Sequence, residues 1–132
     1  MKAIRTIGDL KPAKRNARSH TRRNLDMLEA SLKEFGAARS IVVDERGEVL
    51  AGNGTLEAAK RAGITKVRTV ETDGSEIVAV VRPGLTEQQK AELAIADNRT
   101  GELADWDADV LNSLKGELNL GKFFDDNELG AI

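Results

Sequence analysis

A short apolar run, Val49-Leu50-Ala51, stops at Gly52-Asn53-Gly54-Thr55. A helix-forming segment, Leu56-Glu57-Ala58-Ala59-Lys60-Arg61-Ala62, follows at once and closes at Gly63. The chain must therefore turn sharply from strand to helix. Such a turn gathers backbone N–H groups and the positive end of a helix at one spot, which suits an anion such as phosphate. Glycine lets the backbone approach a ligand with no Cβ in the way. The stretch is not a Walker A loop, because no Gly-Lys-Ser/Thr follows, and no third glycine completes a Gly-x-Gly-x-x-Gly pattern. Taken alone, the plainer reading of the stretch is a tight strand-to-helix turn.

Composition narrows the chemistry. A chain of 132 residues forms one domain with a modest core. Aromatics make up only 3%, so Leu, Ile, Val and Ala must build that core around Phe35, Trp106, Phe123 and Phe124. The absence of cysteine excludes disulfides, thiolate metal sites and thiol catalysis, and agrees with a cytoplasmic setting. No apolar run approaches the roughly 20 residues of a membrane span, and the N-terminus has no signal-peptide core. His20 is the only histidine, which argues against a His-rich metal site or a Ser-His-Asp triad.

The net charge of −2 hides a polarity. The first 39 residues carry ten Lys/Arg against four Asp/Glu, and from residue 85 onward eleven Asp/Glu oppose four Lys/Arg. A basic front end attracts phosphates, whereas an acidic end does not favour DNA. Most of these charges also fit ordinary solvated faces.

Periodicity predicts a strand over 3–7, broken by Leu10-Lys11-Pro12. A basic loop over 13–21 precedes a helix over 22–35, whose Leu25, Leu28, Leu32 and Phe35 share one face. Ser19 or Thr21 caps its start and Gly36 its end. Strands over 41–43 and 48–51 flank a turn at 44–47, and a helix covers 56–62. Further strands fall at 67–70 and 77–81, joined by Thr72-Asp73-Gly74-Ser75. Thr86 and Gln89 form a capping box for a helix over 87–97, which Asp97-Asn98-Arg99-Thr100-Gly101 interrupts. A last helix runs over 108–118 with Asp107 as N-cap. The layout is α+β with a helical C-terminal third.

Several separate pieces then align with one family: Leu10-Lys11-Pro12 with Asn16-Ala17-Arg18; Ser31-Leu32-Lys33-Glu34-Phe35-Gly36; Ile41-Val42-Val43-Asp44; Gly52 to Ala59; and Ala96-Asp97-Asn98-Arg99-Thr100. In order and spacing the chain resembles the N-terminal domain of ParB-like proteins, the "ParB-like nuclease" group that shares its fold with sulfiredoxin. The resemblance covers roughly residues 3–110. It implies a small mixed sheet with flanking helices, a ParB-like domain over 1–118 and a tail over 119–132. The likeness is nearer to phage and mobile-element members than to partitioning proteins. The latter carry Gly-Glu-Arg-Arg where this chain has Gly52-Asn53-Gly54-Thr55.

That resemblance implies nucleotide chemistry: CTP or ATP with magnesium, used as a switch in a DNA-associated phage or plasmid system. It assigns phosphate contacts to Arg18, Gly52, Asn53, Gly54, Thr55, Asn98 and Arg99, and metal contacts to Asp97 and Asn98. Arg15, His20, Arg22 and Arg23 are candidates for further phosphate or DNA contacts, with His20 also a candidate base. Each has a plainer reading. Asp97 and Asn98 suit a helix terminus, Arg22 and Arg23 a solvated helix start, and Glu57 a surface partner of Lys60 or Arg61. The central turn lacks the two arginines of the partitioning motif and the charge-assisted contacts they make. Two alternatives stay open: a metal-dependent nuclease or nucleotide-dependent phosphotransferase, and an adaptor that has lost its nucleotide. Sulfiredoxin chemistry requires a cysteine and is excluded. DNA would be reached through a partner or as a homodimer, because no reader helix is evident.

Overall fold

The computed structural model describes residues 3–130. Met1, Lys2, Ala131 and Ile132, the ends of the expected domain and tail, lie outside the described residues. The α+β class expected from the sequence is what forms. Helix α1 (Arg22–Phe35) is central and packs against α2 (Asn53–Ala62) and α3 (Glu87–Leu103). Thr21 caps α1 by accepting a hydrogen bond from the Asn24 N–H at 3.0 Å, and Gly36 closes it through Leu32 O. Leu25 and Phe35 are buried on the expected face.

Strand pairing comes in short pieces. Strand β1 (Arg18–His20) pairs antiparallel with β4 (Ala104–Trp106), and β2 (Val42–Val43) with β3 (Val49–Ala51). Lys11 runs parallel beside β3 through bonds to Gly47 O and from the Val49 N–H, while Thr6 bridges antiparallel to Lys66. The small core lies between these pieces and α2. Leu10, Val49 and Leu56 are buried there, with Ile4, Ile7, Ile41, Val43 and Val67 packed around them. Complete burial of Val49 is worth about 1.5–3 kcal/mol. The C-terminal part holds α4 (Ala108–Lys115) and the short α5 (Asp126–Gly130). Among the described residues, no helix is long and apolar enough to cross a membrane.

Several elements differ from the sequence expectation, each for a physical reason. The predicted first strand is a single bridge at Thr6, because a 3-10 turn at Ile7–Asp9 takes over. Asp9 stabilises that turn by accepting from the Arg5 and Thr6 N–H groups. The basic loop contains β1, made a strand by a partner more than eighty residues away. Helix α2 begins at Asn53, three residues early, because Gly52 adopts the left-handed conformation that starts it. No strand forms over 67–70 or 77–81, although the turn between them is held by Gly74 N–H to Thr72 Oγ1 at 3.1 Å and Ser75 N–H to Asp73 Oδ1 at 2.9 Å. The Ser75 side chain and backbone hold the Asp73 carboxyl below its usual value. Residues 68–81 are all exposed, so their β-branched residues gain no burial there. Helix α3 continues through Asp97–Gly101 without a break, and α4 ends at Lys115, short of the expected Leu118.

Candidate functional site

Six parts of the chain meet at one cavity of about 480 Å³: β1 with the loop before it, α1, Arg39 beyond the end of α1, the end of β3, the first turn of α2, and the junction of α3 with β4. That volume lies within the usual range for a small-molecule site.

The first turn of α2 supplies the floor. Gly52 sits at φ 106°, and a Cβ there would lie 2.4 Å from Ile41 Cγ2. Gly52 has no side chain, so the N-cap position offers no side-chain acceptor to the N–H groups of the first turn. Asn53 is committed to the framework: its Oδ1 accepts from the Ala13 N–H at 2.9 Å and its Nδ2 donates to Val49 O at 3.3 Å. This ties the segment after Pro12 to the turn. Gly54 has the His20 ring against it, where an added Cβ would fall 2.5 Å from Cε1 and 2.7 Å from Nε2.

His20 and Arg18 come from β1 and form one wall. His20 Nδ1 is hydrogen-bonded to Asn24 Oδ1. Asn24 is only 1% exposed, and its Nδ2 donates to Thr100 O at 2.7 Å. Arg18 Nη2 donates to Gly101 O at 2.8 Å, and its guanidinium lies 4.8 Å from the Trp106 ring centroid, a cation–π distance. Both bonds fall on carbonyls in the last turn of α3, which have no acceptor role left inside the helix. Asn24 and Arg18 therefore act as side-chain caps for α3 while facing the cavity. Trp106 in turn meets Phe124 edge-on at 5.3 Å.

Two further arginines reach the cavity. Arg15 is paired with Glu117 and donates to Ser113 Oγ at 2.9 Å. Arg39 lies 3.2 Å from Asp97 and is largely exposed. Arg39 also lines a second, more apolar cavity of about 450 Å³ between α1 and α3. The two cavities share Leu28, Arg39, Thr55 and Thr100 and so meet along that edge.

This chain is 33% identical over 86 residues to the ParB-like nuclease domain-containing protein YnaK of Escherichia coli strain K12, a match covering 65% of this chain and 87% of the relative. The chain belongs to the ParB-like nuclease domain family. No family model and no solved structure matches it.

Within the ParB-like domain, Arg15, Arg18, His20, Gly52, Asn53, Gly54 and Thr55 all line the one cavity. Asn98 and Arg99 do not. Because α3 is unbroken, they fall on its exposed side, while Asp97 lines the apolar cavity and Thr100 is buried. Arg22 and Arg23 are exposed on the first turn of α1 and line neither cavity. Asp97 and Asn98 make a poor magnesium site: the acid is paired with Arg39 and the amide lies on the exposed side of the helix. Among the described residues, no three histidines or acids cluster as metal ligands. Glu57 pairs with Arg61 at 3.6 Å, as its surface reading implied.

The sequence reading passed over Asn24, Arg39 and Thr100 as parts of the site. Asn24 had a signal. It is four residues from both His20 and Leu28, which sets an amide on the inward stripe of α1. Thr100 lay at the end of the Ala96–Thr100 piece of the family resemblance, and Arg39 had no signal, since only the packing of α3 on α1 brings it to the cavity.

Proposed function

We propose that this ParB-like domain binds a nucleoside triphosphate, CTP or ATP, and serves as a switch in a DNA-associated phage or plasmid system. One observation carries the reading: the first turn of α2, without a capping side chain, lines the same cavity as Arg15, Arg18 and Arg39. Backbone N–H groups at a helix start and guanidinium groups are the two donor types that suit phosphate best. The adjoining apolar cavity offers Leu28, Leu32, Leu85 and Leu93 to a less polar part of the same ligand. Magnesium would enter on the phosphates rather than in a protein cage, consistent with its preference for phosphate and water oxygens.

The switch follows from where the ligand sits. β1, α1, α2 and α3 meet at the cavity, so an anion bound there adds contacts to all of them at once. Arg22 and Arg23 lie on the exposed N-terminal turn of α1 and supply a basic surface for a nucleic-acid partner.

A second reading is favoured by the relative, whose name describes a nuclease domain. The same cavity would then take a phosphodiester. Thermal unfolding separates the two. One triphosphate at about one hundred times its Kd should raise Tm by about 10 °C, leaving the other triphosphates less effective. No shift with any triphosphate, together with cleavage of a single-stranded or duplex oligonucleotide, would favour the nuclease reading.

A further inference from the structure

We propose that His20 is the proton acceptor of this cavity, acting through Nε2, and that Asn24 is the residue that positions it. The inference rests on the nucleotide reading above and assigns a chemical role within it.

The assignment starts from a buried carbonyl. Thr100 O can only accept a hydrogen bond, so the Asn24 NH₂ group must face it, at 2.7 Å. That leaves Asn24 Oδ1, which can only accept, facing His20 Nδ1. The hydrogen between them therefore belongs to Nδ1. In the neutral ring the proton is then on Nδ1, and Nε2 carries the lone pair. Asn24 is almost wholly buried, and its Cα is fixed one turn into α1 under the Thr21 cap, so the amide has little freedom to reverse. Gly54 completes the holding of the ring, since the imidazole occupies the space of the missing side chain.

A lone pair beside the first turn of α2 does not suit a phosphate oxygen, because two acceptors repel. It suits a group with a proton to give, such as water or a hydroxyl next to the phosphate. The role that fits is general base for phosphoryl transfer to water. Water oxygen bonds to the terminal phosphorus, the bond from that phosphorus to the bridging oxygen breaks, and the nucleoside diphosphate leaves. Nε2 takes the proton released by the water. The arrangement, a base oriented by a third group behind it, is the general pattern of activated nucleophiles.

Two measurements on the full chain test the inference. Nitrogen-15 NMR of the ring, at a pH where the same spectrum shows it neutral, should give a protonated Nδ1 and a bare Nε2. In Asn24→Ala the two tautomers should mix, a change that loss of packing alone does not require. With magnesium and the triphosphate that binds, His20→Ala should lower single-turnover hydrolysis by about 10²–10⁴-fold while shifting Kd less than about threefold. A protonated Nε2 in the neutral wild-type ring overturns the inference, as does triphosphate binding with hydrolysis absent or unchanged by His20→Ala. Either result leaves the binding reading standing. No triphosphate binding by the wild type would instead remove both.

Discussion

At Gly54, helix propensity and packing oppose each other. In an exposed helix, alanine would be favoured over glycine by about 1 kcal/mol. Here the added Cβ would meet the His20 ring at 2.5 Å, and that ring is held from behind by Asn24. Packing should win. Gly54→Ala should lose about 1–3 kcal/mol in urea unfolding, the usual cost of overfilling a tight space; a gain in stability would show that the ring yields freely. The glycines were legible in the sequence as a turn, and Arg18 and His20 as candidate phosphate contacts through the family resemblance. The anchors behind them were not, because Gly101 accepts from Arg18, and Thr100 from Asn24, through backbone carbonyls, which leave no trace in residue type.

At the scale of elements, the end of α3 depends on side chains from far earlier in the chain. Arg18 bonds Gly101 O and lies over Trp106, so Arg18→Ala removes a cap and a cation–π contact together. The expected loss is about 1–3 kcal/mol, with faster amide exchange in the last turn of α3 and in β4. Unchanged exchange there would show that β1–β4 pairing alone holds the junction. This dual role makes Arg18 a poor probe of ligand binding. Helix α1 and the Thr86–Gln89 capping box, with bonds of 3.0 and 3.1 Å, were readable because caps and periodicity are local. Strand β1 was not, because three residues became a strand only by pairing with β4. The strands expected over 67–70 and 77–81 failed for the converse reason: suitable residues found no surface to cover.

For the whole molecule, family membership gives the ParB-like domain and the cavity gives the place where a ligand would bind. The match to a ParB-like relative settles the family, and the packing of α1 against α2 and α3 brings Arg18, His20 and the Gly52–Thr55 turn to one cavity while leaving Asn98 and Arg99 outside it. The early basic excess reaches the cavity only in part, as Arg15, Arg18 and Arg39. Arg39 is the cleanest probe because it is exposed and pairs with Asp97 at the surface, a contact worth at most about 1 kcal/mol. Calorimetric titration of wild type and Arg39→Ala with CTP, ATP, GTP and UTP in magnesium tests the proposal that this cavity binds a triphosphate. The expected result is saturable binding of one triphosphate, weakened about 10- to 100-fold by Arg39→Ala, as loss of a charge-assisted hydrogen bond implies. Absence of binding by all four at millimolar concentration would contradict the claim.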